Sequence, residues 1–464
     1  MTLYSKVAQD FEQQIREGMI QPGQKLPSVR QLSRNREVSA STVLQAYMIL
    51  EARGLIEAKP QSGYYACAPL AAASPLERPK PMVRYGNVET SDLVATMRKA
   101  SNDADFYQLG CALMVPSNYP IKRLSRLMSH AVKNRPESLV RMDFPPGNAR
   151  LRKQIARRYG EIGTKVGIED IVLTSGCNEA ITLALRAATK PGDAVLVESP
   201  AYFGVLEILR DMGLKVVEVS ADACTGLQLD SVRDAFRRFP IKAGFVAPNF
   251  SNPSGALMPD ENKRELVDMF ARNKAWLIED DIFSELSHSH IRPKPLRAFD
   301  TKGIVITCSS FSKTIGPGLR IGWVLPGSLR EEIEGAKYLL NGGTTLAMTE
   351  LVADFLESGS YERYLRRVRQ TIAVQVARVS EAVIRAFPEG TRISQPQGGY
   401  VIWVRLPDGY DSVQLYRKAM SAKINFAPGV IFSASGKFSD HVRISCGDWS
   451  EATRKAIVRL GGLL

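Results

Sequence analysis

The sequence predicts an α/β protein. A small N-terminal domain of three helices and a hairpin precedes a large domain with a mostly parallel sheet flanked by helices and a small C-terminal subdomain. Three observations support this. Apolar residues first recur every four positions, an alanine- and proline-rich segment follows, and short runs rich in Val, Ile and Leu then alternate with helical patterns. We place the boundaries at residues 1–66, 67–104 and 105–464.

Composition places the chain among globular proteins with a basic excess. Apolar residues make up 44%, charged residues 23%, and the formal net charge is +13. The N-terminus lacks the features of a signal peptide, and no run of about 18 apolar residues predicts a membrane span. Six cysteines without CxxC spacing indicate reduced thiols, with no disulfide frame and no metal site. We therefore expect a cytoplasmic protein with polyanionic partners.

The N-terminal region carries the pattern of three helices. Apolar side chains repeat every four residues over 3–15, which is one face of an amphipathic helix. Ser28 follows a turn and is predicted to cap the second helix. A third helix is predicted over about 40–53, with Ser39 or Ser41 near its cap.

A hairpin completes this domain. Residues 55–57 and 64–66 are β-prone and are joined by a polar tip, which predicts a wing. Three helices and a wing form a winged helix-turn-helix, whose third helix enters the major groove of DNA with its N-terminal residues toward the bases. Short hydroxyls and nearby arginines suit phosphates and base edges. The predicted DNA-contacting residues are Arg30, Arg34, Ser39, Ser41, Thr42 and Gly63.

The stretch PGQKLPSVRQLSRNREVSASTVLQAYMILEARGLI (22–56), with its trailing SGYY, resembles the DNA-binding signature of the GntR family over about residues 2–66. The resemblance implies double-stranded promoter DNA as the partner. A winged helix that binds another protein is the alternative. The charge excess of this domain is small, so binding to DNA depends on where the charges lie.

Residues 67–104 predict a linker. Its first part is rich in alanine and proline and has little periodicity, as in semi-rigid extended segments. The piece SDLVATMRKAS (91–101) is predicted to form a short helix that docks on the large domain.

Six short apolar runs predict the parallel sheet of the large domain, because helical stretches separate most of them. Ligands bind such sheets at the carboxyl ends of the strands. The predicted strands are 171–176, 193–200, 214–220, 243–249, 275–281 and 303–312.

Polar residues cluster at the predicted carboxyl ends of these strands. After the first strand a helix begins at once, and its free N–H groups suit a phosphate. Tyr202 follows the second strand, where its ring can stack on an aromatic ligand. Each residue alone also suits an ordinary turn or core, but their order and spacing together indicate one ligand site. The candidates are Gly176, Cys177, Asn178, Tyr202, Asn252, Asp280, Ser310, Ser312, Lys313 and Arg320.

With these motifs, residues 105–464 resemble the fold-type I enzymes that use pyridoxal 5′-phosphate (PLP), the aminotransferase family. The resemblance implies that Lys313 forms the Schiff base with the cofactor aldehyde, which requires a partly neutral amine. It implies that Asp280 pairs with the pyridine nitrogen. Asn252 would donate to the phenolate oxygen, and Tyr202 would stack on the ring. The residues that would bind the phosphate are Gly176, Cys177, Asn178, Ser310, Ser312 and Arg320.

Three further positions refine this resemblance. Phe283 stands three residues after Asp280, where many family members have tyrosine, so a donor to the phenolate oxygen is lost. Cys177 stands where a hydroxyl residue is common. Arg443, in the stretch HVRISCG, matches the family arginine that binds an α-carboxylate. The resemblance thus implies an amino-acid-like effector and slower transamination.

The order of the two halves resembles the MocR subfamily of GntR regulators. This implies that the large domain senses PLP, or an amino-acid or amine effector, and forms a homodimer, head-to-tail, that presents two DNA-binding domains. Two alternatives stay open. One is an active PLP-dependent aminotransferase that carries a DNA-binding domain, and the other is a degenerate PLP domain that serves only for dimerisation. Phe283 and the intact N-terminal signature favour the regulator.

Overall fold

The N-terminal domain is the predicted winged helix-turn-helix in a computed structural model that describes residues 3–52, 55–59, 62–67, 75–88, 92–289 and 291–464. Helix α3 contacts both α1 and α2, and β1 pairs antiparallel with β2. The elements of this winged domain are α1 (Leu3–Arg16), α2 (Val29–Asn35), α3 (Ala40–Ala52), β1 (Ile56–Lys59) and β2 (Gly63–Ala66).

Serine caps set the starts of α2 and α3. The Ser28 hydroxyl accepts a hydrogen bond from the Gln31 backbone N–H at 3.2 Å, as predicted. The Ser39 hydroxyl accepts one from the Thr42 backbone N–H at 3.1 Å. The predicted apolar faces then meet in one core, which includes Val7, Phe11, Ile15, Leu32, Val43, Ala46, Tyr47, Leu50 and Ile56.

A nine-stranded, mostly parallel sheet organises the described part of the large domain. Its order is β3-β7-β6-β9-β10-β11-β12-β5, with β8 paired to β7. The strands are β3 (Val83–Gly86), β4 (Tyr107–Gln108), β5 (Val172–Thr174), β6 (Ala194–Ser199), β7 (Lys215–Asp222), β8 (Gly226–Leu227), β9 (Ile241–Val246), β10 (Trp276–Asp280), β11 (Val305–Ser310), β12 (Gly322–Leu325), β13 (Arg392–Ile393), β14 (Val401–Arg405), β15 (Ile424–Asn425), β16 (Ala427–Pro428) and β17 (His441–Ser445).

Each of the six predicted apolar runs overlaps a strand of this sheet. Strands β7, β6, β9, β10 and β11 are mutually parallel, which confirms the predicted α/β class. Strand β12 is an addition that the sequence analysis did not predict. It runs antiparallel between β11 and β5, begins beside the carboxyl end of β11 and carries the chain away from that edge.

Helices cover both faces of the sheet. Alternate residues of β6 point to opposite faces, so Val195 and Val197 join one core while Leu196 joins the other. Helices α7, α8 and α11 bury residues in the first core, and α9 and α10 in the second. The helices are α4 (Asp92–Ser101), α5 (Ile121–Asn134), α6 (Ala149–Gly160), α7 (Cys177–Ala188), α8 (Phe203–Asp211), α9 (Leu229–Arg238), α10 (Asp260–Arg272), α11 (Arg330–Asn341), α12 (Leu346–Glu357), α13 (Ser360–Ala386), α14 (Ser412–Ser421) and α15 (Glu451–Gly461).

Part of the predicted linker belongs structurally to the large domain. Strand β3 pairs antiparallel with β7 as an edge strand, and the Tyr85 ring stacks on Phe239 at a centroid distance of 5.1 Å. Helix α4, near the predicted position, docks through Val94, Met97 and Ala100. The assignment of 67–104 to a linker was therefore too long, because β3 is a short edge strand with a weak apolar pattern. Residues 68–74 and 89–91 lie outside the described part.

A small C-terminal subdomain completes the fold. Its sheet has the order β13-β14-β17-β16, and Trp403 on β14 lies opposite Arg443 on β17. Helices α13 and α15 pack together against it. In the described residues, no helix is long and apolar enough to cross a membrane.

Candidate cofactor cavity and nucleic-acid interface

The strand ends of the large domain open into one cavity of about 460 Å³. We call it the cofactor cavity. The parallel order of β6, β9, β10 and β11 places their carboxyl ends at the same edge of the sheet. The structure brings together almost all of the predicted site residues. Those that line the cavity are Cys177, Asn178, Tyr202, Asn252, Asp280, Phe283, Ser310, Ser312, Lys313, Arg320 and Arg443.

Lys313 lies in the turn after β11, with its amine inside the protein. Its Nζ donates a hydrogen bond to the backbone carbonyl of Ala112 at 2.8 Å and lies 5.6 Å from the centroid of the Phe283 ring. Burial, assisted by the positive charge of Arg443, lowers the pKa of Lys313 to about 8. A substantial fraction of neutral amine is therefore present near neutral pH, as a nucleophilic lysine requires.

We expect the rate at which Lys313 reacts with added PLP to rise with pH, with a midpoint of about 8. Only the neutral amine is nucleophilic, so the reaction is slow below the pKa and reaches a plateau above it. Replacing Arg443 by methionine removes a charge that lowers this pKa, and should move the midpoint to higher pH. Stopped-flow absorbance across the pH range measures both midpoints. An unchanged midpoint in the variant would contradict the assigned influence of Arg443.

Asp280 ends β10 and is buried beneath the cavity. Burial raises the pKa of its carboxyl group to about 6, so the group is mainly ionised at pH 7. Among the described residues, its hydrogen-bond donors are the Ile282 backbone N–H at 3.1 Å and the Cys177 thiol at 3.6 Å, and both reach Oδ1. The second oxygen is therefore available to a proton donor in the cavity. A protonated ring nitrogen is a donor of this kind.

An anion cradle lies where β5 meets α7. Gly176 has a φ of +100°, and α7 begins at the next residue, so backbone N–H groups of its first turn are without helical partners. The Arg320 guanidinium donates to the carbonyl of Ser175 at 2.8 Å, and a Cβ at Gly176 would collide with it. The Ser310 hydroxyl accepts from the Ser312 backbone N–H at 3.2 Å, beside these groups. Such a cradle suits a phosphate.

Buried polar atoms without partners indicate that the cavity is built for a polar ligand. Asn252 Oδ1 and two guanidinium nitrogens of Arg443, Nε and Nη1, are buried with no partner among the described residues. Arg443 is 1% exposed, and its Nη2 donates to the carbonyl of Gly110 at 2.5 Å. Burial lowers the pKa of Arg443 to about 10, and it stays charged at pH 7. Leaving such groups unpaired is costly. A ligand of about the size of PLP with a neighbouring carboxylate would satisfy the two donors of Arg443.

The winged domain presents the predicted DNA contacts to solvent. The Ser39 hydroxyl lies 2.8 Å from the hydroxyls of both Ser41 and Thr42 at the start of α3. Arg30 and Arg34 on α2 are exposed and form no ion pair with a described residue. A helix N-terminus with hydroxyls and flanking arginines suits a DNA backbone. Contact with DNA itself stays a prediction.

Gly63 lies at the start of the second wing strand. It is exposed and has a φ of +109°, a conformation that favours glycine. A Cβ here would lie 3.3 Å from Lys25 Cε, so glycine also lets this lysine pack closely against the wing. The wing tip thereby keeps a positive charge near its surface.

Comparisons with known proteins match both halves of the chain. The model of the family "Aminotransferase class I and II" matches residues 127–460. The model of "Bacterial regulatory proteins, gntR family" matches residues 3–65. The uncharacterized HTH-type transcriptional regulator YjiR of Escherichia coli (strain K12) is 37% identical over 99% of this chain and 98% of its own. The chain belongs to the GntR-type family with an aminotransferase class I and II domain, the MocR-like architecture.

Two further relatives agree with this MocR-like architecture. The uncharacterized HTH-type transcriptional regulator YdcR of Escherichia coli (strain K12) is 35% identical over 100% of this chain and 99% of its own. The kynurenine aminotransferase of Pyrococcus horikoshii aligns with a TM-score of 0.75 and 25% identity, over 81% of this chain and 94% of the enzyme. Because the aminotransferase class is PLP-dependent, the large domain is of the PLP-binding type.

Phe283 lines the cavity three residues after Asp280. This ring packs edge-on against Tyr400 at a centroid distance of 5.3 Å. It has no hydroxyl with which to donate to a ligand oxygen. The Tyr400 hydroxyl instead donates to the carbonyl of Ala112 at 3.1 Å, the same atom that accepts from Lys313.

One wall of the cavity was not predicted from the sequence. The segment 110–113 lines it and supplies carbonyls to Lys313 and Arg443, and α4 adds side chains at its mouth. Backbone carbonyls in an irregular segment leave no sequence signal. The amphipathic pattern of 91–101 did predict a docked helix, but not that this helix borders the cavity.

Proposed function

We propose that this protein is a cytoplasmic, PLP-responsive transcription regulator. Its winged domain binds promoter DNA, and its aminotransferase-like domain senses PLP or an amino-acid or amine effector. The observation that carries this proposal is the presence, in one chain, of exposed DNA-contact candidates on the winged domain and a cavity with unpaired buried donors. Its similarity to HTH-type transcriptional regulators supports the same function.

We assign the cofactor contacts as follows. Lys313 supplies the amine that holds PLP, and the Asp280 carboxylate keeps a proton on the ring nitrogen. Asn252 and Tyr202 orient the ring. When bound, PLP supplies an electrophilic carbonyl and an electron sink. The residues that bind the phosphate are Gly176, Cys177, Asn178, Ser310, Ser312 and Arg320.

Arg443 gives the cavity its selectivity for a carboxylate. Its two unpartnered nitrogens can bind a carboxylate in the bidentate manner that guanidinium favours. An amino acid placed there would lie beside Lys313, because the charge of Arg443 acts directly on the pKa of that amine. The effector then shifts the protein between arrangements only if it binds one of them better.

An exposed apolar patch supports a homodimer, which we propose to be head-to-tail. Val140 and Leu339 are 83% and 84% exposed, and the Phe144 and Tyr338 rings lie 6.1 Å apart, so the two segments are adjacent. Patches of this kind mark protein–protein interfaces. The patch is formed by Leu139, Val140, Met142, Phe144, Tyr338, Leu339 and Leu340.

The patch is connected to the anion cradle. Helix α11 ends in it, and Lys337 on this helix donates to the Glu179 carboxylate on α7 at 2.9 Å. Glu179 in turn accepts from the Ser175 backbone N–H of the cradle. Phosphate binding and dimer contact therefore involve the same two helices, α7 and α11. Through this pair, cofactor binding can change the arrangement of the two protomers.

The proposal is tested on three full-length proteins with added PLP: the native protein, Lys313→Ala and Arg34→Ala. For each we would record the visible absorption spectrum, the mass by light scattering, and binding to DNA from upstream of the protein's own gene. We expect a dimer, a visible band that is absent only in Lys313→Ala, and DNA binding that changes with PLP. Arg34→Ala should keep the band and weaken DNA binding at every salt concentration. DNA binding that does not change when PLP is added, or the absence of DNA binding, would overturn the proposal.

Catalysis of transamination is a second candidate function, because Lys313, Asp280 and Arg443 all line the cavity. We favour a sensor because Phe283 cannot donate to a ligand oxygen, and a missing donor slows a reaction in which charge develops there. Assay of amino-acid and 2-oxo-acid pairs on the same preparations decides between them.

A further inference from the structure

The mouth of the cofactor cavity carries a cation that the proposed cofactor and carboxylate contacts do not use. Arg98, on α4, lines the cavity and is exposed. It forms no ion pair or hydrogen bond with a described residue. Some exposed arginines of the large domain do have acidic partners, for example Arg233 with Asp230 and Glu265. An unpaired arginine at a ligand cavity is available to an anionic group of the ligand.

The cavity lining carries an excess of positive charge. Asp280 is the one carboxylate among the described lining residues, and the proposed function assigns it to the ring nitrogen. The cationic lining residues are Arg98, Lys313, Arg320 and Arg443. Since the proposed function uses the last three for the cofactor amine, the phosphate and an α-carboxylate, the positive charge of Arg98 is left without a counter-charge. A cationic side chain on the effector would be repelled here.

Helix α4 holds Arg98 in a fixed place relative to the carboxylate site. The Asn425 amide donates to the carbonyl of Met97 at 3.2 Å, and the Gln108 amide donates to that of Ala100 at 2.8 Å. Two residues after Gln108, the carbonyl of Gly110 accepts from Arg443. The same short segment therefore anchors both arginines, and a ligand that reaches both would bridge α4 and the small subdomain.

From this arrangement we propose that the effector is an acidic amino acid, whose α-carboxylate binds Arg443 and whose second acid group binds Arg98. The inference rests on the proposed function, since it assumes that PLP and an amino acid share this cavity.

The test compares L-glutamate with its uncharged analogue L-glutamine, and L-aspartate with L-asparagine, on the PLP-loaded full-length protein. The change in the visible spectrum of the bound cofactor gives each dissociation constant. We expect the acidic member of one pair to bind about ten- to a hundredfold more tightly, as a charge-assisted hydrogen bond provides. Arg98→Gln should abolish this preference while leaving the affinity for the uncharged analogue unchanged, and Arg98→Lys should keep part of it.

Lys99→Gln is the matched control, because Lys99 is also exposed on α4 but does not line the cavity. It should retain the full preference, which separates a specific contact from a general loss of positive charge. Equal affinities within both pairs, or a preference that survives Arg98→Gln, would overturn the inference and leave the proposed function standing. Absence of a Lys313-dependent visible band would overturn the proposed function and this inference together.

Discussion

Replacing Arg443 by methionine is expected to weaken amino-acid binding to the PLP-loaded protein by about a hundredfold, because two charge-assisted hydrogen bonds to a carboxylate are lost. The same change should stabilise the ligand-free protein by about 1–3 kcal/mol. Arg443 is buried without a carboxylate partner among the described residues, and burial, which disfavours its charged form, lowers its pKa to about 10. Methionine fills similar space without that charge. Spectral titration gives the affinity, and urea unfolding gives the stability.

Arg392→Met is the control for this prediction. Arg392 lies in the same small sheet, on β13, but is partly exposed and pairs with Glu77 at the surface. Its replacement should leave amino-acid binding unchanged and alter stability by less than about 1 kcal/mol. If Arg443→Met loses stability and retains affinity, Arg443 is a structural residue and the carboxylate lies elsewhere.

The fold could be predicted from sequence where apolar runs were unambiguous. The strand Ala194–Ser199 is buried along its whole length, and both of its ends carry turn residues. Strands β3 and β12 were missed for different reasons. Val83–Gly86 is a half-exposed edge strand in a proline-rich segment. Gly322–Leu325 follows a glycine-rich loop and is only four residues long, so it could not be separated from the motif before it.

Site residues at strand ends were predicted because their side chains carry the chemistry. Asp280 and Lys313 line one cavity as expected, although 33 residues separate them. The carbonyls of Gly110 and Ala112 could not be predicted, since every residue has a carbonyl and only tertiary placement selects these two. Arg98 was placed on a docking helix, but sequence cannot say which face of that helix borders a cavity.

Behind the cavity lies a buried charge network that sequence also could not reveal. Glu285 lies five residues after the end of β10, and its side chain is 9% exposed. Its carboxylate accepts from Arg158 at 2.6 Å, from Arg292 at 3.4 Å and from the Tyr361 hydroxyl. Arg292 also pairs with Asp281 at 3.2 Å, beside Asp280. The network thus joins α6 and α13 to the strand end that supports the site.

We expect Glu285→Gln to destabilise the large domain by about 3–5 kcal/mol, the usual cost of removing one partner from a buried ion pair. Glutamine keeps the shape and can still contact Tyr361, but it leaves the two guanidinium groups of Arg158 and Arg292 without their shared counter-charge. All four tryptophans, at 276, 323, 403 and 449, lie in the large domain. Urea unfolding followed by tryptophan fluorescence therefore reports on this domain.

The pH dependence of the stability lost in Glu285→Gln identifies the cause of that loss. Burial opposes ionisation of Glu285, but the charges of Arg158 and Arg292 outweigh it and lower its pKa from 4.5 to about 2. A carboxylate with a lowered pKa contributes stability above its unfolded pKa and loses it as pH falls toward the folded pKa. The difference between the native protein and Glu285→Gln should therefore be full at pH 7 and shrink below pH 4.5.

Glu362→Gln is the matched control for the network. Glu362 also pairs with Arg158, but its side chain is 47% exposed, so its loss should cost less than about 1 kcal/mol. Equal losses for the two variants, or a loss for Glu285→Gln that persists unchanged in acid, would mean that packing and not charge holds this region together. A large, pH-dependent loss at Glu285 alone would show that the strand end beneath the cofactor cavity is positioned by buried charge.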